Sequence, residues 1–306
     1  MSTVVKRKNI GNGRRPLETR SRGRKHYNHI KFEEVPSWIS DNEFILSHHR
    51  PELNSFKECL RSIFGLHSET GNIWTHLLGL LSFVIIAIVF YIKPFCDQCS
   101  SDILILDKFI FIFFFLGAIT CLSFSMMFHT VLCHSESVHK IFNKLDYAGI
   151  SILTIGSFIP WIYYGFYCDF ILKVVYISAI SVLAVGTIFV SMVDKFATAA
   201  YRPVRATMFV CLGLFGVVPF SHFILLHGWE EAKSLAGVDG VVIVAGLYIF
   251  GAVLYGIRVP ERFMPGRFDL WFQSHQIFHA LVVAAALVQF YGMKRIALYR
   301  LTEVSF

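Results

Sequence analysis

Seven separate apolar stretches constrain this chain more than any other feature, because a helix needs roughly 20 apolar residues to cross the hydrocarbon core of a bilayer. They run from about 72 to 92, 108 to 131, 147 to 167, 170 to 193, 204 to 227, 239 to 257 and 269 to 291. Lipid offers no water to the backbone, so each crossing must satisfy its own amides as a helix. Of 306 residues, 55% are hydrophobic, 16% are charged and 31 are Phe, and the apolar runs are too long for a globular core. The expected fold class is an all-α membrane protein with seven transmembrane helices. No Gly-rich phosphate loop, internal repeat or inverted-repeat signature appears, which argues against a nucleotide enzyme or a transporter, and no nucleic-acid partner is expected.

Lys and Arg in short loops set the orientation, the cytoplasmic side carrying the excess. The loops on the N-terminal side hold Lys140, Lys144, Lys195, Arg202, Arg205, Arg258, Arg262 and Arg267, against Lys93, Lys108, Lys173 and Lys233 on the other side. Up to Lys31 the tail has ten basic residues and one acid, Glu18. An odd number of spans then places the N-terminus in the cytoplasm and the C-terminus outside. Lys294, Arg295 and Arg300 oppose this, but one basic cluster after the last span weighs less than the rest. Residues 1–50 read as a basic, largely disordered cytoplasmic tail without the apolar core of a cleavable signal, and 294–306 as an extracellular tail. Residues 51–68 read as an interfacial amphipathic helix, since Leu53, Phe56, Leu60, Ile63 and Phe64 recur at helical spacing around Lys57, Glu58 and Arg61. The membrane domain is then 69–293.

Histidines inside spans are costly and imply a partner or a function. With this topology His129, near the cytoplasmic end of span two, and His275 and His279, in the cytoplasmic half of span seven, occupy one layer. Residues four apart share a helix face at about 6 Å, so His275 and His279 can hold one ion while His129 approaches from a facing helix. Neutral imidazoles suit Zn2+, and three protein ligands leave a fourth position for water, as catalytic sites do. Asp146 opens span three at this level, and Ser125 lies one turn before His129. Asp146 is the expected proton acceptor and Ser125 the expected hydrogen-bond donor to water or a developing oxyanion, for hydrolysis of an amide or ester presented from the lipid. Two alternatives stay open: zinc that only ties spans two, three and seven together, with Cys133 one turn beyond His129 as a fourth ligand, and a membrane-homeostasis protein with no protein ligand.

Among the other histidines, His76 is the strongest competitor for a ligand role, but a polar residue there more often bonds a neighbouring helix. His134 and His139 fall on an inner loop, His222 and His227 lie in the outer half of span five, and all stay outside the expected site. On the outer loops a disulfide is permitted among Cys96, Cys99 and Cys168, with the pairing open. Cys59, Cys121, Cys133 and Cys211 read as buried fillers or free thiols. Small residues, Gly79, Gly117, Gly149, Gly156, Gly213, Gly216, Gly246, Gly251 and Gly256, permit close helix packing, and Pro160 and Pro219 are expected to kink spans three and five.

Five segments carry a closer likeness: ETGNIWTHLLG at Glu69 to Gly79, FSMMFHTVLCHSE at Phe124 to Glu136, KLDYAGI at Lys144 to Ile150, GSFIPWIYYGFYC at Gly156 to Cys168 and FQSHQIFHALVVAAA at Phe272 to Ala286. With them the chain resembles the progestin and adipoQ receptor family, closest to the adiponectin receptors, from about residue 35 onward. The resemblance implies a seven-helix receptor with an inward N-terminus at the plasma membrane. It implies zinc on His129, His275 and His279, Asp146 meeting it through water, and ceramide-hydrolysing activity tied to hormone binding and lipid metabolism. It also implies lipid contacts at Tyr147, Arg205 and Tyr255, with ceramide and free fatty acid as partners, an adiponectin-like extracellular ligand and a cytoplasmic adaptor at the N-terminal tail. The outer loop carrying Cys96 to Cys99 departs from the family pattern, which bears on the identity of the ligand.

Overall fold

The computed structural model describes residues 27–92, 101–197, 201–235 and 238–303, with Arg205 described by its backbone alone. Among the described residues ten α-helices follow in order: α1 (Phe56–Ser62), α2 (Thr70–Ile92), α3 (Ser101–Val131), α4 (Glu136–Gly165), α5 (Phe170–Met192), α6 (Asp194–Ala197), α7 (Arg202–Leu214), α8 (Val217–Leu235), α9 (Val238–Ile257) and α10 (Ser274–Glu303). Extended pairing among the described residues is confined to an isolated bridge between Ile30 and His49. Among the described residues seven segments are long and apolar enough to cross a membrane, from Thr70–Ile92 to Ser274–Leu301, so this is an all-α multi-pass membrane protein.

Several boundaries differ from hydropathy, for physical reasons. The third crossing begins at Glu136, well before the apolar run, because a helix continues through polar residues once its amides are paired. The last begins at Ser274 and continues to Glu303, so residues 294–303 extend the helix instead of forming a tail. Span five is broken at Phe215 and Gly216, between α7 and α8. Pro219 accounts for the position: its ring clashes with the carbonyl four residues earlier, that of Phe215. α4, by contrast, runs on through Pro160. The amphipathic segment condenses to α1, whose cap is Ser55, its hydroxyl accepting the Glu58 amide at 3.4 Å. Phe56, Leu60 and Phe64 stay exposed along it while Cys59 is buried, as suits a helix lying in an interface.

α3 and α4 approach almost to backbone contact. A Cβ on Gly156 would sit 2.5 Å from the Phe113 carbonyl oxygen, and one on Gly117 would sit 2.9 Å from that of Ile152. Gly213, Gly246 and Gly256 instead face open space, so the packing role expected for them is not seen. Away from the histidine end, Phe83, Phe90, Phe111, Phe114, Phe115 and Phe290 fill the centre between α2, α3 and α10 with edge-on and tilted rings.

Residues 27–55 lie across the histidine end as a strap. Asp269 accepts the Leu46 amide at 2.9 Å and the Ser47 hydroxyl at 2.6 Å, and Gly266 N–H donates to the Phe44 carbonyl at 3.1 Å. Buried Glu261 accepts from the Asn42 side chain at 3.0 Å and from the Ser274 amide at 2.8 Å, tying the strap to the start of α10. Residues 27–50, expected within the disordered tail, are thus hydrogen-bonded to the bundle; residues 1–26 lie outside the described residues, as do Cys96 and Cys99 of the disulfide expectation. Cys168 is an exposed free thiol.

Candidate metal centre

His129 sits in the last turn of α3, and His275 and His279 in the first turns of α10. The strap, the end of α3 and the starts of α2 and α10 all meet here. Ring centroids lie 4.9 Å apart for His129 and His275, 4.8 Å for His129 and His279 and 4.6 Å for His275 and His279. One nitrogen from each ring can be chosen so that all three lie within 4.8 Å of one another. Tetrahedral zinc at bond lengths of 2.0–2.1 Å would draw such atoms to about 3.3 Å, an approach within reach of small side-chain rotations. His129 and His279 are buried, and Nε2 of His129 has no hydrogen-bond partner although it is shut away from solvent. A buried lone pair left unbonded is costly, and a cation at the meeting point would satisfy it. The three residues fit a metal.

Asp146 and Ser125 stand beside this group, Ser125 hydrogen-bonding to the Asp146 carboxylate and Asp146 lying within electrostatic reach of His129. The Asp146 carboxylate is not among the three side chains whose potential ligand atoms converge. Tyr255 places its ring edge-on to His275 at 4.9 Å, and the Arg258 guanidinium stacks over Tyr255 while pairing with Asp41 of the strap at 2.5 Å. Tyr147 meets Phe209 with ring centroids 6.1 Å apart. The side chain of Arg205 lies outside the described residues.

His76, expected to bond a neighbouring helix, instead stacks face to face on His279 with centroids 3.7 Å apart, and its buried nitrogens have no well-formed hydrogen bond. Cys133 does not join the ligating group; its sulfur lies 3.9 Å from that of Cys59, both fully buried, in an apolar cluster with Phe128 and Leu132. That contact pulls the Cys133 thiol below its usual range and pushes that of Cys59 up.

The likeness to known proteins now bears on these residues. Residues 64–290 match the profile of the haemolysin-III-related family, a stretch that includes all three histidines, Asp146 and Ser125. The chain belongs to this family. Within it, the chain is 49% identical over 269 residues to the adiponectin receptor protein of Drosophila melanogaster, covering 88% of this chain and 60% of that one. It is 50% identical over 274 residues to the progestin and adipoQ receptor-like protein 1 of Caenorhabditis elegans, covering 90% and 62% respectively. The ADIPOR-like receptor IZH2 of Saccharomyces cerevisiae is 38% identical over 264 residues, 86% of this chain and 82% of that one. The chain thus spans about three fifths of the length of the fly and worm relatives. The resemblance drawn from the five sequence segments holds: this is an adiponectin-receptor-like member of the haemolysin-III-related family.

Four residues at this centre escape a reading of the sequence by spans. Glu69 Oε2 lies 2.7 Å from Nδ1 of His129 and accepts the Asn72 amide at 2.7 Å, and the Asn72 carbonyl lies 3.3 Å from Nδ1 of His279. Burial alone would raise the Glu69 carboxyl, but hydrogen bonds from His129 and Asn72 outweigh it and hold the group below the usual carboxylate range. Buried His67 accepts the Glu69 amide on Nδ1 at 3.1 Å and donates from Nε2 to the Ser62 carbonyl at 3.0 Å. Burial, with Arg50 nearby, lowers its pKa to about 3. Arg50, also buried, donates to the His129 carbonyl at 2.5 Å, the Thr130 carbonyl at 2.8 Å and the Ser62 hydroxyl at 2.6 Å, capping the end of α3. The available signal was the polar ETGN opening of an otherwise apolar span; Arg50 had none.

Proposed function

We propose that this protein is an adiponectin-receptor-like membrane receptor whose three histidines hold zinc and whose centre hydrolyses ceramide-type lipid amides. The observation that carries the reading is the convergence of three imidazoles from helices far apart in sequence, one presenting a buried, unbonded Nε2. Zinc held there supplies Lewis acidity, bringing the ionisation of water towards neutral pH and polarising a carbonyl. Asp146 accepts the proton from the attacking water and returns it to the departing amine as the carbon–nitrogen bond breaks. Ser125, whose single hydroxyl proton bonds the Asp146 carboxylate at rest, turns that proton to the developing oxyanion. Tyr147, Arg205 and Tyr255 form the lipid-contacting side, and free fatty acid is the product.

The orientation proposed has the N-terminus and the histidine end in the cytoplasm, at the plasma membrane, with regulation of lipid metabolism as the outcome. The relatives' printed names support an adiponectin-like protein as the extracellular ligand. A cytoplasmic adaptor at the N-terminal tail is part of the same proposal.

The test is ceramide turnover by purified full-length protein in nanodiscs, read as fatty acid released. Asp146→Asn is expected to lower turnover about 10²–10⁴-fold, the contribution of a positioned acid–base group, and metal chelation to abolish it. Equal turnover in wild type, Asp146→Asn and chelated protein contradicts catalysis here. Loss of thermal stability on chelation, with no turnover in any sample, selects zinc as a structural tie between α3 and α10.

A further inference from the structure

The reading of the histidines as metal ligands leaves open what aims them, and the first turn of α2 answers that. A carboxylate and a backbone carbonyl can only accept hydrogen bonds, so the contacts of Glu69 with Nδ1 of His129 at 2.7 Å and of the Asn72 carbonyl with Nδ1 of His279 at 3.3 Å place the ring N–H on Nδ1 in both histidines. Each ring is then left with its lone pair on Nε2, the atom a metal takes. For His129 that atom is buried and unbonded. Glu69 is itself fixed from two sides, its carboxylate by the Asn72 side chain at 2.7 Å and its amide by His67 at 3.1 Å. All of this lies within six residues at the mouth of one helix, while the two histidines it contacts come from α3 and α10.

We propose that Glu69 and Asn72 are the positioning residues of the metal centre: together they select one tautomer in His129 and His279 and point both Nε2 atoms at a single site. The proposal rests on the metal reading above and adds to it a carboxylate partner behind a ligating histidine. Such a partner raises the basicity of the ring, and its loss typically weakens metal affinity 10–100-fold. Because Asn72 contacts His279 through its main chain, its side chain matters only as the clamp on Glu69.

Zinc affinity of the purified full-length chain, measured by chelator competition, tests this with Glu69→Gln, Glu69→Ala, Asn72→Ala and His129→Ala. Glu69→Gln keeps an acceptor and is expected to weaken zinc about 10-fold, and Glu69→Ala about 100-fold. Asn72→Ala should fall below Glu69→Gln in effect. The visible ligand-field spectrum of the Co2+-loaded protein supplies a readout that a merely structural contact would not move: it should shift in Glu69→Gln even where melting of the metal-free protein is unchanged. If both Glu69 variants bind zinc as wild type does, with an unshifted Co2+ spectrum, while His129→Ala loses the metal, the positioning role is overturned and the metal reading survives. If wild type and His129→Ala take up zinc equally, the metal reading itself is overturned, and the proposal with it.

Discussion

Arg50 offers the most direct route to testing how the strap supports the centre. It is 3% exposed, and its guanidinium spans the His129 and Thr130 carbonyls and the Ser62 hydroxyl. In Arg50→Met the hydroxyl keeps its bond to the Cys59 carbonyl at 2.6 Å, but the two carbonyls closing α3 lose their partner. At about 1–3 kcal/mol for each buried acceptor left unmade, the loss is about 4 kcal/mol. Removing a buried charge whose Nε has no partner recovers about 1 kcal/mol, leaving about 3 kcal/mol net. For a chain of this size that is a fall in melting temperature of about 6–12 °C. Arg50→Lys should fall between, since one ammonium cannot reach all three acceptors. The assay is thermal unfolding in detergent with chelator present, so that metal linkage is excluded. A fall under about 3 °C in Arg50→Met would refute the capping argument.

Three further outcomes follow from other parts of the molecule. Gly156→Ala forces α3 and α4 apart against the Phe113 carbonyl 2.5 Å away and should cost about 2–3 kcal/mol in melting experiments, whereas Gly213→Ala, with open space beside it, should cost nothing measurable. Because the folded His67 pKa is depressed to about 3 from 6.5, its contribution is complete above pH 6.5 and is lost as pH falls towards 3. By pH 5 this amounts to about 2 kcal/mol, so chelated wild type should lose stability between pH 7 and 5 more steeply than His67→Gln; parallel curves would contradict it. Asp269→Ala removes the acceptor of Leu46 and Ser47, and hydrogen exchange should rise at residues 44–48 while α3 and α4 keep their protection.

The spans and the pair His275 and His279 were legible because both are short-range patterns, and His129 was placed beside them by its depth in span two. Apolar runs report burial in lipid directly, and the four-residue spacing of His275 and His279 places them on one face whatever surrounds them. Helix ends were less legible, since the third and last crossings continue beyond their apolar runs at a cost that composition does not record. Pro219 announced a disturbance, but only the clash with Phe215 located it. The supports of the site were hidden for a different reason. Arg50 reaches His129 across 79 residues, and Asp269 reaches Leu46 across 223. Such pairs leave no periodic trace. His76 shows the limit from the other side, since its depth marked it as polar and buried but not as stacking on His279.

X-ray absorption at the zinc edge, on protein purified without added chelator and compared with His129→Ala, addresses the central claim most directly. One zinc per chain with nitrogen neighbours at about 2.0–2.1 Å, absent from the variant, is the result the account predicts. Zinc missing from wild type, or a sulfur-rich shell unaltered by the substitution, would contradict it.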